Sequence, residues 1–270
     1  MQIRMDNVTF GYSSDPVLDG ITLSLDGPKL IAVLGPNGVG KSTLIKCINR
    51  ILSPKVGVVT IDGRDVKDYT LKEMARTVGY VPYSSSDSFP LSVVDTVLMG
   101  RHPHQRWGAT DTDLAKVHEV LKKLEIEDLA LRSFDELSAG QHQKVMLARG
   151  LVQEPEILLL DEPTSNLDVR HQMEVTKTLL DLVEREGITA VMICHDLNIA
   201  AKYAHELVLM FDGSIYAVGT PAEVLTEANL LRVYGVETQI LEHMGRPHVI
   251  LEDFVREEMP EDTDGTDCDE

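Results

Sequence analysis

Residues 35 to 43 read Gly35-Pro36-Asn37-Gly38-Val39-Gly40-Lys41-Ser42-Thr43. Glycines, a lysine and two hydroxyl residues in this order suit the binding of a polyphosphate. The spacing G-x-x-x-x-G-K-[ST] lets a backbone wrap a phosphate with its N–H groups, and a helix that starts at its end adds a favourable dipole. Lys41 is then placed to neutralise the β- and γ-phosphates, and Ser42 to ligate Mg²⁺. An incidental glycine turn needs neither this spacing nor a strand before it and a helix after it. Both flank it here. Leu30 to Leu34 is an apolar run suited to a buried strand, and Thr43 to Ile48 has helical periodicity.

A phosphate loop of this kind requires a carboxylate at the end of another buried strand. Ile157-Leu158-Leu159-Leu160-Asp161-Glu162 supplies it. Asp161 is placed to hold the metal through water. Glu162, one residue on, is placed to orient or deprotonate an attacking water.

The elements that must position these groups alternate along the chain. Val58 to Ile61 ends at the turn signal Asp62-Gly63, and Thr70 to Glu73 fits a capping box. Val78 to Val81 is a strand pattern stopped by Pro82, with Tyr83 at the corner. Ile157 to Leu160 and Thr189 to Cys194 are further buried-strand runs, each separated from the next by a helical stretch. The pattern predicts an α/β fold built on a parallel sheet with covering helices. Between Pro90 and Gly150 it becomes helical, with Val93 to Met99 and Leu114 to Leu124 at helical spacing. A helical insert of about 84–150 therefore interrupts the core.

The chain has 270 residues and a formal charge of −19, which argues against nucleic acid as a partner. Much of the excess is local: Glu252 to Glu270 carries ten acidic residues against Arg256 alone. Residues 251–270 are expected to form a disordered acidic tail that catalysis does not need. Cys47, Cys194 and Cys268 lack metal spacing and are expected to be reduced thiols. The sequence contains no apolar run long enough to span a bilayer and no signal-peptide pattern near Met1, so the cytoplasm is the expected compartment.

Leu137-Ser138-Ala139-Gly140-Gln141 precedes another helix. Ser138 and Gln141 alone are explained by a capping box. Their place after the phosphate loop and shortly before Asp161 closely resembles the ATP-binding cassette family, whose signature is LSGGQ. Ala139 replaces the first glycine. Ser165-Asn166-Leu167-Asp168 resembles the family's loop that crosses between subunits, although Asp168 also suits a helix cap. His195 resembles the switch histidine at the γ-phosphate, and Tyr12 the aromatic that stacks on adenine. The resemblance runs from near residue 3 to about 250. It implies a P-loop NTPase core with an antiparallel N-terminal β portion and an inserted α-helical subdomain. It also implies a head-to-tail homodimer with ATP between the subunits, Ser138 to Gln141 of one copy facing the phosphate loop of the other.

Val97 to His104, His195 to Ala201 and Gly219 to Val224 look like the importer ATPases for iron chelates, haem and cobalamin. This resemblance implies integral membrane permease subunits on separate chains, a solute-binding protein on the far side, and a peripheral place on the cytoplasmic face of the membrane. His102 and His104 have no suitably spaced acid or cysteine to make a metal site. The family ends its insert-entry strand in a glutamine that approaches Mg²⁺ and the attacking water. Here the aligned residue is Tyr83. A phenol offers one O–H on a rigid ring in place of a carboxamide. The alternative function is thus a hydrolysis-impaired ATP-binding dimer with a regulatory or structural role.

Overall fold

The computed structural model of the chain describes residues 1–83, 90–105 and 108–254. Alternation of apolar and polar residues sets its first elements. In β1 (Gln2–Phe10), Ile3, Met5 and Val8 are buried while Gln2, Arg4 and Asn7 face solvent. It pairs antiparallel with β2 (Leu18–Asp26). The next strand, β3 (Leu30–Leu34), is buried along its whole length, as its unbroken apolar sequence requires. The chain then turns through the glycine loop into α1 (Lys41–Ile48).

Strands β4 (Val56–Ile61) and β5 (Arg64–Asp65) complete an antiparallel sheet of order β2-β1-β4-β5. This is the antiparallel N-terminal portion that the resemblance implies. Helix α2 (Leu71–Thr77) opens on the predicted capping box: Glu73 N–H donates to Thr70 Oγ1 at 3.1 Å, and Thr70 N–H donates to Glu73 Oε2 at 2.7 Å. Strand β6 (Val78–Val81) follows and stops before Pro82.

Within the described part of the insert lie α3 (Val93–Leu98), α4 (Asp111–Lys123) and α5 (Ala139–Leu151). The predicted Leu114 to Leu124 helix starts earlier, because Thr110 caps it and Asp113 closes the capping box. The chain then returns to the sheet as β7 (Ile157–Leu160), α6 (Val169–Glu186), β8 (Thr189–Ile193), α7 (Leu197–Tyr203), β9 (Glu206–Phe211) and β10 (Ser214–Gly219). Helices α8 (Pro221–Val224) and α9 (Glu227–Tyr234) lead to a hairpin of β11 (Val236–His243) and β12 (Arg246–Phe254).

The central sheet has the order β10-β9-β3-β8-β7-β6. Strands β6, β7, β8, β3 and β9 are parallel, and β10 joins antiparallel. The pleat sends alternate side chains into two cores. Leu30, Ala32, Leu34, Leu158 and Leu160 pack with α5, α6 and the insert, whereas Ile31, Val33, Ile157 and Leu159 pack with α1 and the antiparallel sheet. Strand β12 carries the order past residue 250 to Phe254. Cys47 and Cys194 are buried free thiols, each pushed up by burial, to about 11 and about 12. Cys268 and the rest of the expected tail from 255 lie outside the described residues.

Candidate active site

The turn after β3 needs glycine for steric reasons. Gly35, Gly38 and Gly40 have φ of 143°, 81° and 102°, in the region that L side chains avoid. A Cβ on Gly35 would lie 2.4 Å from the Met210 carbonyl oxygen, and one on Gly40 2.8 Å from Leu18 Cδ2. Val39 turns inward to the core, so this position lends only its backbone to the loop. Gly40 is the N-cap of α1 and has no side chain to satisfy the first N–H groups. Those donors and the helix dipole are directed at the loop. Pro36, Asn37 and Gly38 form its outer bend, and Thr43 is buried behind it.

The Lys41 ammonium lies across this loop and donates to the carbonyl oxygens of Gly35 and Pro36, both at 2.7 Å. Burial lowers its pKa, while the charges of Glu162 and Asp161 act in the opposite sense. One residue on, Ser42 Oγ donates to Asp161 Oδ1 at 2.8 Å, and Tyr80 of β6 donates its hydroxyl to Oδ2 at 3.4 Å. Burial, then the Asp161 charge, pushes the Tyr80 phenol up, so it stays a donor. The nearly buried Asp161 carboxylate and the Ser42 hydroxyl therefore form a compact set of hard oxygen donors. Such a set fits Mg²⁺, which takes few protein ligands and completes its shell with water and phosphate.

Glu162, two residues past the end of β7, is in a left-handed conformation, with φ 53°. That conformation costs a non-glycine residue about 1–3 kcal/mol and re-aims the side chain. Its Oε1 lies 2.8 Å from His195 Nε2, and its Oε2 accepts from the Ser165 hydroxyl at 2.8 Å. Burial alone would raise the Glu162 carboxyl. The His195 and Ser165 hydrogen bonds, with the charges of His195 and Lys41, outweigh it and hold the carboxyl below its ordinary range. His195 stands between β8 and α7, where Asp196 caps the helix by accepting from the N–H groups of Asn198 and Ile199.

Asn37, Gly38, Ser42, Asp161, Glu162 and His195 line one open cleft of about 630 Å³. Tyr83 and Lys46 also line it. The corner residue is thus part of the site wall. Lys46 and Tyr80 are additions to the sequence reading. Lys46 follows Ser42 by one helical turn and so shares its face. Tyr80 has a partner in Leu159 across the β6–β7 pair, next to the carboxylates.

Other expected residues stand elsewhere on this chain. Ser138 caps α5, accepting from Gln141 N–H at 3.4 Å, while Gln141 Oε1 accepts from Ser138 N–H at 3.1 Å. Neither they nor Ala139, Gly140 and Asp168 are among the described residues that line the cleft. Asp168 caps α6 through His171 N–H at 2.9 Å, and its Oδ1 lies 2.8 Å from His171 Nδ1. These bonds, the backbone one first, lower the Asp168 carboxyl. The His171 ring in turn packs on Gly140, so the α5 and α6 N-termini form one surface. Tyr12 is 66% exposed and meets Phe10 edge-on at 5.1 Å, leaving ring surface open to solvent.

Residues 18–165 match the family model described as ABC transporter. The chain is 45% identical to an uncharacterized ABC transporter ATP-binding protein of Methanocaldococcus jannaschii, over 93% of this chain and 98% of that one. It is 38% identical to the hemin import ATP-binding protein HmuV of Bordetella avium, over 90% and 95% of the two chains. Other relatives are named for ferric enterobactin transport and cobalamin import. Among solved structures it is similar to a dimeric bacterial ABC transporter cassette, with a TM-score of 0.71 and 27% identity over 81% of this chain and 98% of that one. Phosphate loop, acidic strand end, helical insert and these likenesses agree: the chain belongs to the ABC transporter family, as one of its ATP-hydrolysing cassettes.

Proposed function

We propose that this chain powers the import of an iron–siderophore complex, haem or cobalamin. In this reading it works as a homodimer with ATP between its copies, attached at the cytoplasmic face of the membrane to permease subunits on separate chains. A solute-binding protein delivers the cargo from the far side. The names of the hemin, enterobactin and cobalamin relatives support the substrate class. The two motif surfaces support the dimer. Ser138 to Gln141 are not among the described residues that line the chain's own cleft, and a second copy would bring them to a phosphate. Among the described residues no helix is long and apolar enough to cross a membrane.

The observation that carries the reading is the Ser42–Asp161–Glu162–His195 arrangement at one end of the glycine loop. In it Gly35 to Gly40 and the α1 N-terminus bind the phosphates, and Lys41 turns from the Gly35 and Pro36 carbonyls to neutralise them. Ser42, and Asp161 through water, would hold Mg²⁺, which would supply charge neutralisation on the phosphate oxygens. Tyr12 stacks on adenine, and the partner copy contributes its Ser138, Ala139, Gly140 and Gln141, with Asp168 at the crossing loop. Glu162 accepts a proton of the attacking water. Its depressed pKa keeps it ionised near neutral pH and makes it a weak base. Orientation of the water is therefore its larger contribution. His195 leaves the carboxylate and donates to the γ-phosphate.

The test is purification with the native membrane partner, followed by ATPase and uptake assays with ferric siderophore, haem and cobalamin. One of the three should stimulate ATP hydrolysis and be taken up. Stimulation by none of them would overturn the substrate class, and absence of hydrolysis in every assembly would favour the hydrolysis-impaired module.

A further inference from the structure

The expected role of a glutamine at the end of β6 does not describe what Tyr83 does. Its hydroxyl oxygen accepts a hydrogen bond from Asn166 Nδ2 at 3.2 Å, across 83 positions of sequence. Asn166 lies in the left-handed region, with φ 62°, a conformation that asparagine tolerates better than most residues. The bond joins two different parts of the molecule. Tyr83 lines the nucleotide cleft beside Asp161 and Glu162, and Asn166 lies in the loop that leads to the α6 cap.

The anchors of that loop fall in sequence order. Ser165 is tied to Glu162 twice, by its N–H to the Glu162 carbonyl at 3.2 Å and by its hydroxyl to Oε2 at 2.8 Å. Leu167 N–H reaches the Thr164 carbonyl at 3.4 Å, and Asp168 is fixed by His171. Those contacts are local, each spanning three positions. The Asn166–Tyr83 bond differs, because it ties the loop to the strand at which the chain enters the helical insert. A rigid ring with two χ angles also places its hydroxyl at lower entropic cost than a flexible side chain of equal reach.

We propose that Tyr83 is a positioning residue. Its hydroxyl latches Asn166 and thereby sets the loop from Ser165 to Asp168 relative to the Glu162 end of the cleft. The latch couples the site wall to the surface that a second copy meets. Its functional consequence rests on the reading that two copies close around ATP through this loop.

Tyr83→Phe removes only the hydroxyl. Asn166→Gly removes the donor but keeps the left-handed backbone accessible, which alanine would not. The first measurement is amide hydrogen exchange over residues 163–170 of the full chain without nucleotide. Tyr83→Phe should speed exchange there by about two- to tenfold, the range that one net hydrogen bond supports. In the Asn166→Gly background the same change should add nothing. Unchanged exchange in Tyr83→Phe, or an equal increment in both backgrounds, would overturn the latch. The second measurement is ATP-dependent dimerisation by sedimentation in a Glu162→Gln background, alongside ATP titration. The hydroxyl deletion should weaken the dimer by a similar factor with ATP affinity unchanged. A Glu162→Gln parent that stays monomeric with ATP would sink the shared-site reading, and the exchange data would still decide the latch.

Discussion

His195 Nε2 lies 2.8 Å from Glu162 Oε1, so the two side chains expected to act on the attacking water and the γ-phosphate hold one another. An ionised carboxylate only accepts, hence the imidazole donates. The pair keeps Glu162 charged and aimed while the cleft is open. Glu162→Gln should lower kcat by about 10²- to 10⁴-fold, the usual worth of a positioned acid–base group, and leave ATP binding intact. ATPase rate against ATP concentration checks this; retention of more than a tenth of the parent kcat would refute the assignment.

The same pair sets a pH dependence. Glu162 is held below its ordinary pKa of about 4.3, so its ionised form persists as pH falls past that value. Activity that needs the carboxylate is lost only as pH drops through the depressed value. Removing the imidazole takes away the largest of the lowering contributions. In His195→Ala the acid limb of the residual kcat/KM profile, which reports the free enzyme, should move to higher pH, measured over the range in which circular dichroism shows the fold intact. A limb that stays in place, or moves down, would show that His195 does not hold Glu162 in the free enzyme.

A Cβ built on Gly140 falls 2.6 Å from His171 Cδ2, and that ring is fixed by Asp168. Gly140→Ala should displace the ring and disturb the joint surface of the α5 and α6 N-termini. ATP-dependent dimerisation should weaken by about tenfold or more, since an overpacked contact costs about 1–3 kcal/mol. His171→Ala makes room for the methyl group. The double variant should therefore recover part of the loss of Gly140→Ala. A double variant weaker than both single ones would mean that the two residues do not oppose each other in this way.

Much of this site was legible because its chemistry lives in short contiguous stretches. Gly35 to Thr43 and Ile157 to Glu162 each carry a strand end and its ligands together, and both fold as the pattern predicts. What was not legible depends on long-range geometry. The Tyr80–Asp161 and Tyr83–Asn166 bonds join strand ends and loops far apart in sequence, and only the β6–β7 register brings them together. Packing of His171 on Gly140 is of the same kind. The hairpin of β11 and β12 was missed for another reason. Its outward side chains include Leu241, Met244 and Leu251, so apolar and polar positions do not alternate cleanly by face.

Within the insert, Arg101 is 7% exposed and bonds Asp113 at 3.0 Å, the Val152 carbonyl at 2.8 Å and Glu154 at 2.9 Å. It ties α4 to the segment that joins α5 to β7. Arg101→Met leaves the buried Asp113 carboxylate without its counter-ion, held only by the Thr110 N–H and hydroxyl, and should cost about 3–5 kcal/mol. The Arg101 hydrogen bond is the main reason that the Asp113 carboxyl lies below its ordinary range. Its stabilisation is present above the unfolded value of about 3.9 and is lost as pH falls through the folded one. Denaturant unfolding should therefore show a gap between parent and variant that is full at pH 7 and shrinks at pH values below the unfolded one. A constant gap would assign the cost to packing alone.

Asn198 links the switch side of the site to the C-terminal hairpin. Its Oδ1 accepts from Val249 N–H at 2.8 Å, and its Nδ2 donates to the Val249 carbonyl at 3.1 Å. Val249 is buried, and α7, which carries Asn198, begins two residues after His195. The amide thus replaces a strand partner for β12 and fixes the helix whose N-terminus holds the histidine. Asn198→Ala strips both bonds and leaves the Val249 peptide groups unsatisfied, for about 2 kcal/mol in all. In a chain of this size the melting temperature should fall by about 4–8 °C. The catalytic effect should be smaller and confined to kcat, because both side-chain hydrogen bonds of Asn198 go to Val249 and neither to the phosphate loop. Differential scanning calorimetry and steady-state ATPase assays check both parts. An unchanged melting temperature would show that the hairpin does not depend on Asn198, and a rise in the KM for ATP without a fall in kcat would show that its influence reaches the phosphate loop instead of His195.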